Sequence, residues 1–248
     1  MSIQTFKRLE DKFIIDREQL EALAPKLEEF MEYDGFCKNG SYEILNIYFD
    51  SPDGGIIRRS VEKPYFKEKL RLRSYGVPKG SESPVFLELK RKSGGIVYKR
   101  RASLTYGEAL RYIESGEKPK CPDYLTGQVL SEIDYFIEKT QAAPRYFLSY
   151  ERTAMFGKKD KNLRITLDGS IMARRDNLSL AAGSGGRQLL PPQSRIMEVK
   201  FLGAIPLDLA RLLSDLHIYR RSFSKIGTEY KTNLLLKKEG ILQKAGAQ

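Results

Sequence analysis

The sequence predicts an α+β fold: an antiparallel eight-stranded β-barrel with helices packed on its outside. Three observations carry this expectation. Eight segments alternate apolar and polar residues with the two-residue period of a strand. Most of them follow one another in runs joined by tight-turn residues, which favours antiparallel pairing. The helical patterns stand between these runs and begin at capping signals, so they are expected to cover the sheet. A chain of 248 residues, 41% hydrophobic and 30% charged, is long enough for one sizeable core, and residues 1–240 read as one domain with 241–248 as a frayed tail.

The first strand is expected over residues 5–15. Asp16 then caps a helix, with Gln19 in the capping-box position and Leu20, Leu23, Leu27, Phe30 and Met31 at helical spacing. Pro25 inside that pattern predicts a kink or a break. Residues 42–51, YEILNIYFDS, read as a strand closed by the turn Pro52-Asp53-Gly54-Gly55. Strands follow over 65–75, 84–92 and 95–102, the last two joined by the hairpin signal Ser93-Gly94-Gly95. Thr105 and Glu108 form a capping box for a helix bearing Leu110 and Ile113. A second helix carries Val129, Leu130, Ile133, Phe136 and Ile137. From Pro144 the strand pattern resumes over 145–155, 163–172 and 195–201. Residues 180–193, with AAGSGG and a Pro-Pro pair, read as a mobile loop. An amphipathic helix over 207–216, a basic stretch over 220–225 and a short helix complete the chain.

Side chains two apart on a strand share a face. That rule puts Glu10 with Lys12, Arg71 with Arg73, Glu88 with Lys90, Lys99 with Arg101, and Glu198 with Lys200, while apolar residues take the opposite faces. Arg152 and Arg164 sit in strands flanked by apolar residues. One pair of this kind is ordinarily a solvated surface. The repetition argues otherwise. Lys12, Arg71, Arg73, Lys90, Lys99, Arg152, Arg164 and Lys200 face only Glu10, Glu88 and Glu198, and like charges on neighbouring strands repel. An anion relieves that repulsion. If the sheet closes, the cationic face becomes a lumen suited to a linear polyphosphate, with Arg as bidentate clamps and Lys as point charges. The carboxylates either pair with these cations or hold a hard divalent ion.

The net charge of +11 favours anionic partners but specifies none. Nucleic acid is not expected, because no helix-turn-helix or RNA-binding signature accompanies the charge. Two cysteines without a CxxC spacing and a single histidine, His217, argue against zinc and other transition-metal sites. The start MSIQTFKRLEDKF is charged from residue 7 and does not read as a signal peptide, and no apolar run approaches the ~20 residues of a membrane span. A cytoplasmic protein without a membrane segment is expected, though a membrane partner is compatible with it.

In order along the chain, RLEDKF, KLRLRSYG, FLELKRK, VYKRR, YERTA, LRITLD, MEVKF and FSKIGTEY resemble the triphosphate tunnel metalloenzyme superfamily, and within it the catalytic VTC domain of polyphosphate polymerases. The resemblance implies a polymerase that transfers the ATP γ-phosphoryl group to a growing polyphosphate chain. It implies catalytic roles for Lys12, Arg71, Arg73, Lys200 and Lys225, and substrate binding by Lys90, Lys99, Tyr150, Arg152, Arg164 and Glu10. Glu198 matches the carboxylate that holds Mn²⁺ or Mg²⁺. Arg8 stands where related tunnel enzymes have the first Glu of an E-x-E-x-K motif, which weakens the case for a second metal site and for simple triphosphate hydrolysis. No regulatory SPX domain precedes these motifs, so control by inositol pyrophosphates is not expected. The rival expectations are a tunnel-type triphosphatase and a polyphosphate binder without catalysis.

Overall fold

The structure, a computed structural model, describes residues 8–37, 40–119, 121 and 123–240. Residues 5–7 of the first expected strand and the 241–248 tail lie outside the described residues. In chain order the elements are β1 (Arg8–Ile15), α1 (Arg17–Phe30), β2 (Met31–Tyr33), β3 (Tyr42–Asp50), α2 (Gly55–Val61), β4 (Phe66–Tyr75), β5 (Pro84–Ser93) and β6 (Ile96–Thr105). They continue with α3 (Tyr106–Ser115), α4 (Tyr124–Thr140), β7 (Ala143–Gly157), β8 (Arg164–Arg174), β9 (Arg187–Gln188), β10 (Arg195–Leu202), α5 (Leu207–Asp215) and α6 (Lys225–Lys238). Eight strands pair in the order β1-β10-β8-β7-β3-β4-β5-β6, with β2 added on β7 and β9 on β8. The ladders β1–β10, β10–β8, β3–β4, β4–β5 and β5–β6 are all antiparallel, as the α+β fold class requires. Among the described residues, no helix is long and apolar enough to cross a membrane.

The chain divides into two compact units, each with its own core. One unit (residues 1–43, 150–171 and 190–223) packs Phe13 and Ile15 of β1, Leu23 and Leu27 of α1, Met197, Val199 and Phe201 of β10, and Leu209 and Leu213 of α5. The other (residues 44–149, 172–189 and 224–248) packs Leu45 and Ile47 of β3, Leu70 and Leu72 of β4, and Leu87 and Leu89 of β5 with Ile133 and Phe136 of α4. In both units the apolar half of each alternating strand is the half that meets the helices.

Three local expectations need correction. Helix α1 runs through Pro25 without a break. Leu23 and Leu27 on either side are fully buried, and the Asp16–Gln19 capping box fixes the start, so packing outweighs the lost backbone hydrogen bond. The turn after β3 leads directly into helix α2, whose first free N–H groups, Ile56 and Ile57, donate to the Asp50 carboxylate at the end of β3 (2.9 and 3.2 Å). The 180–193 segment is tied down rather than loose. Arg174 donates to the carbonyls of Asn177, Ser179, Gly183 and Gly185, Leu180 is fully buried, and β9 pairs with β8. Gly186 at φ 112 lies against the Ala173 carbonyl, an approach that leaves no room for a Cβ.

Candidate functional site

Each unit carries one cationic sheet face built around a buried carboxylate. In the first unit, register places Lys12, Glu198 and Thr166 in one row across β1, β10 and β8, and Glu10, Lys200 and Arg164 in the next. Alternation sends Met197, Val199 and Phe201 to the core, so Glu198 and Lys200 must take the other face. Lys12 Nζ lies 2.5 Å from Glu198 Oε1 and 3.2 Å from Glu10 Oε1. Lys200 Nζ lies 3.3 Å from Glu198 Oε2 and 3.6 Å from Glu10 Oε2. Two carboxylates thus share two ammonium groups. Burial by itself would lower the pKa of Lys12, but Glu198 and Glu10 outweigh it and hold the pKa well above the usual lysine range.

On β7 and β8 of the same unit, Arg152 grips Asp168 with two hydrogen bonds of 2.6 and 2.7 Å and lies 5.3 Å over the ring of buried Tyr150. Arg164 meets Asp34 at 3.5 Å and stacks over Phe156. Among the described residues, Arg164 Nε and Thr166 Oγ1 are buried without a hydrogen-bond partner. Both belong to the face that carries Glu198.

In the second unit, Arg71, Glu88 and Arg101 form one row across β4, β5 and β6, and Lys69, Lys90 and Lys99 form the adjacent row. Glu88 Oε2 accepts from Arg71 at 2.7 Å, while Oε1 takes Arg101 at 2.5 Å and Lys99 at 2.7 Å. Arg73 stands 3.9 Å off and donates through Nε to Asn46 at 2.9 Å. Burial would raise the Glu88 carboxyl, but Arg71, Arg73 and Lys99 override it and depress it far below the carboxylate range. Of the two sequence readings of Glu88, ion pairing is the one the structure displays. Tyr48 on β3 accepts from Arg71 at 3.1 Å. Although burial opposes ionisation, Arg71 and Arg73 bring its phenol down to about 8.

Of the sequence-predicted residues, Glu10, Lys12, Tyr150, Arg152, Arg164, Glu198 and Lys200 fall in the first unit, and Arg71, Arg73, Lys90, Lys99 and Lys225 in the second. Lys90 shares the face of Glu88 and is exposed. Lys225 is the first residue of α6, which Ser224 caps through Gly227 N. Sequence reasoning paired Arg101 with Lys99 but gave it no role, and it missed Asp168, Thr166 and Tyr48 as members of these faces. Alternation alone marks Thr166 and Asp168 as companions of Arg164 in LRITLD, and Arg101 as the companion of Lys99.

A divalent metal is compatible with the first face. Among the described residues, no three His, Cys, Asp or Glu side chains group to hold an ion unaided. Glu10 and Glu198 nevertheless converge on the same two ammonium groups, with the unpartnered Thr166 hydroxyl in the row of Glu198. Such an oxygen-only set suits a hard cation that completes its shell with water and phosphate oxygens.

No curated protein matches the chain in a sequence comparison. Among solved structures it is similar to a candidate adenylate cyclase from Bacillus halodurans (16% identity, 88% of this chain and 93% of the other, TM-score 0.52), a likeness of fold. A Pyrococcus horikoshii protein (14% identity, 94% and 99% coverage, TM-score 0.42) and the Mimivirus capping enzyme triphosphatase (12%, 84% and 88%, TM-score 0.34) also match. The model of the VTC domain matches residues 7–233, which include every site residue named above. That family handles phosphate chains on a tunnel-type sheet and implies dependence on a divalent metal; the chain belongs to the VTC domain family.

Proposed function

We propose that the protein is a metal-dependent polyphosphate polymerase that moves the γ-phosphoryl group of ATP onto the end of an inorganic polyphosphate chain. The observation that carries this reading is the Glu10–Glu198 pair set between Lys12 and Lys200, on a face that also bears Arg152 and Arg164. A terminal oxygen of the acceptor attacks the γ-phosphorus, the bond to the β,γ-bridging oxygen breaks, and ADP departs with that electron pair. Such a transfer needs charge placement more than covalent help from the protein. Lys12, Arg71, Arg73, Lys200 and Lys225 offset charge on the transferring group and the leaving ADP. Lys90, Lys99, Tyr150, Arg152 and Arg164 hold the phosphates of donor and acceptor, which would otherwise repel each other, and Glu10 takes part in substrate binding by orienting Lys12 and Lys200. A divalent ion (Mn²⁺ or Mg²⁺), held by Glu198 with Glu10 beside it, would supply positive charge that offsets the charge of the phosphates. Residues 1–240 act as one functional domain in this reading, and the product is made on the cytoplasmic side of any membrane partner.

The test is incubation with ATP and Mn²⁺ or Mg²⁺, followed by gel separation of polyphosphate, beside Lys200→Ala and Glu198→Ala. Wild-type protein is expected to lay down long chains and both variants to lose most of that synthesis. Release of orthophosphate alone would make the protein a triphosphatase. Chain binding without turnover would make it a binder. Full activity in both variants would remove the site assignment.

A further inference from the structure

Glu88 is matched to its surroundings in a way that an ordinary structural ion pair is not. The same three strands offer the comparison. On their opposite face Arg91 meets Glu68 and Glu132, and Arg100 meets Glu132, so two cations face two carboxylates. On the Glu88 face, Arg71, Arg73, Lys99 and Arg101 share one carboxylate. The burial is also layered. The Glu88 side chain is 1% exposed, whereas those of Arg71, Arg101 and Lys99 are 22%, 35% and 41% exposed. The anion therefore lies beneath Arg71, Arg101 and Lys99, which keep an outward side, while Arg73, at 6%, is buried beside it. Three of the four cations have second supports: Arg71 donates to Tyr48, Arg73 donates to Asn46, and Arg101 stacks 4.6 Å over Phe86.

We propose that Glu88 is an internal counter-anion that positions Arg71, Arg73, Lys99 and Arg101 as a preformed clamp for a phosphate group of the chain, and that its charge limits how tightly that chain is held. The proposal rests on the reading of the protein as one that handles phosphate chains, and it adds Arg101 to the residues that contact them. Four cations without a counter-ion would repel one another and lose their common orientation. One carboxylate fixes them from below and leaves the outward sides of Arg71, Lys99 and Arg101 toward the ligand. A more complete match would weaken binding, while no match would trap the product. Glu88→Gln keeps the side-chain shape and one carbonyl acceptor but removes the charge. Affinity for a phosphate chain is then expected to rise about tenfold, and the salt dependence of binding to steepen by about one released counterion. Turnover falls because a chain held more tightly must slide or leave at each step, so KM and kcat drop together.

The experiment measures tripolyphosphate affinity at several salt concentrations, steady-state synthesis from ATP, and thermal midpoint in wild type, Glu88→Gln and Glu88→Asp. Tighter binding and a lower kcat with a lower KM in Glu88→Gln, returning toward wild type in Glu88→Asp, are the expected results. A lower thermal midpoint with unchanged or weaker affinity in Glu88→Gln would reduce Glu88 to a structural pair and overturn the proposal. Should Glu88→Gln fail to fold, Arg101→Gln decides instead: it should weaken tripolyphosphate binding about tenfold, and unchanged affinity would remove the clamp. Wild-type binding without synthesis would overturn the polymerase reading alone and leave the Glu88 comparison readable. If wild type binds no phosphate chain, both ideas fall.

Discussion

The Arg152–Asp168 pair offers the sharpest test of how the first cationic face is held. Asp168 is fully buried and the Arg152 side chain is 12% exposed, with two hydrogen bonds of 2.6 and 2.7 Å between them. Asp168→Asn leaves one carbonyl acceptor and turns an amide N–H₂ toward a guanidinium, which can only donate. Removing one partner of a buried pair costs about 3–5 kcal/mol, because the remaining charge stays buried without compensation. The partial exposure of Arg152 places this case at about 3 kcal/mol, a large share of the ~5–15 kcal/mol that holds a domain together. With a urea m-value of about 3 kcal/mol per M, the unfolding midpoint should fall by about 1 M.

The second arm is a double-mutant cycle with Arg152→Gln. Removing both charges leaves two neutral amides, so Arg152→Gln/Asp168→Asn should be more stable than the sum of the single effects predicts, by at least ~1 kcal/mol. Additive losses, or a midpoint shift in Asp168→Asn below about 0.3 M, would refute the idea that Asp168 holds Arg152 in place.

Three further outcomes follow from other residues. Ultraviolet titration should show one tyrosine ionising near pH 8, absent in Tyr48→Phe; because the folded value of about 8 lies below the ordinary 10, its contribution to stability is fully present above pH 10 and is lost as pH falls through about 8. Asp50→Ala should cost about 2–4 kcal/mol in urea unfolding, since this buried carboxylate accepts from Ile56 N, Ile57 N and Tyr146 Oη at once; a loss under ~1 kcal/mol would contradict its capping role. Gly186→Ala should lower stability by about 1–3 kcal/mol and speed proteolysis within 180–193, because its Cβ would press on the Ala173 carbonyl at a φ of 112; unchanged proteolysis would show that the segment is fixed by Arg174 alone.

The strands were legible because each obeys a local rule. A side chain's face depends only on parity, so KLRLR and MEVKF announce their cationic and apolar faces without any knowledge of neighbours. Helix α6 was harder. Its buried face includes Glu229 and Asn233, and Glu229 is satisfied by two hydrogen bonds from Arg175, far away in sequence, so an apolar periodicity could not reveal a 14-residue helix. Helix α2 was hidden for a related reason: its first N–H groups are satisfied by Asp50, which the sequence places inside the preceding strand. The anchoring of 180–193 likewise depends on Arg174, one long side chain reaching four carbonyls, while local composition there argues for freedom. In each case the missing information was a polar partner brought in by tertiary structure.

Register adds to the charge pattern something that counting could not. The sequence shows more cations than carboxylates on the strand faces, but it leaves open whether the excess is spread evenly. The pairing of β4, β5 and β6 concentrates it: one face of these strands is balanced by Glu68 and Glu132, and the other leaves four cations to Glu88. The first unit repeats the layering. Glu198 has a 9% exposed side chain, while those of Lys12 and Lys200 are 28% and 25% exposed. In the second unit the carboxylate lies inside and Arg71, Lys99 and Arg101 keep an outward side; in the first, Glu198 lies inside while Glu10, beside the same two ammonium groups, is 33% exposed. Had these groups served stability alone, burying the more easily desolvated apolar residues in their place would have served as well or better. Retaining a buried anion beneath an excess of partly exposed cations makes physical sense when a second, exchangeable anion completes the neutralisation. On the proposed function a phosphate chain would offer that anion at every repeat, and one charge fixed beneath the cations would allow it to bind firmly and still move.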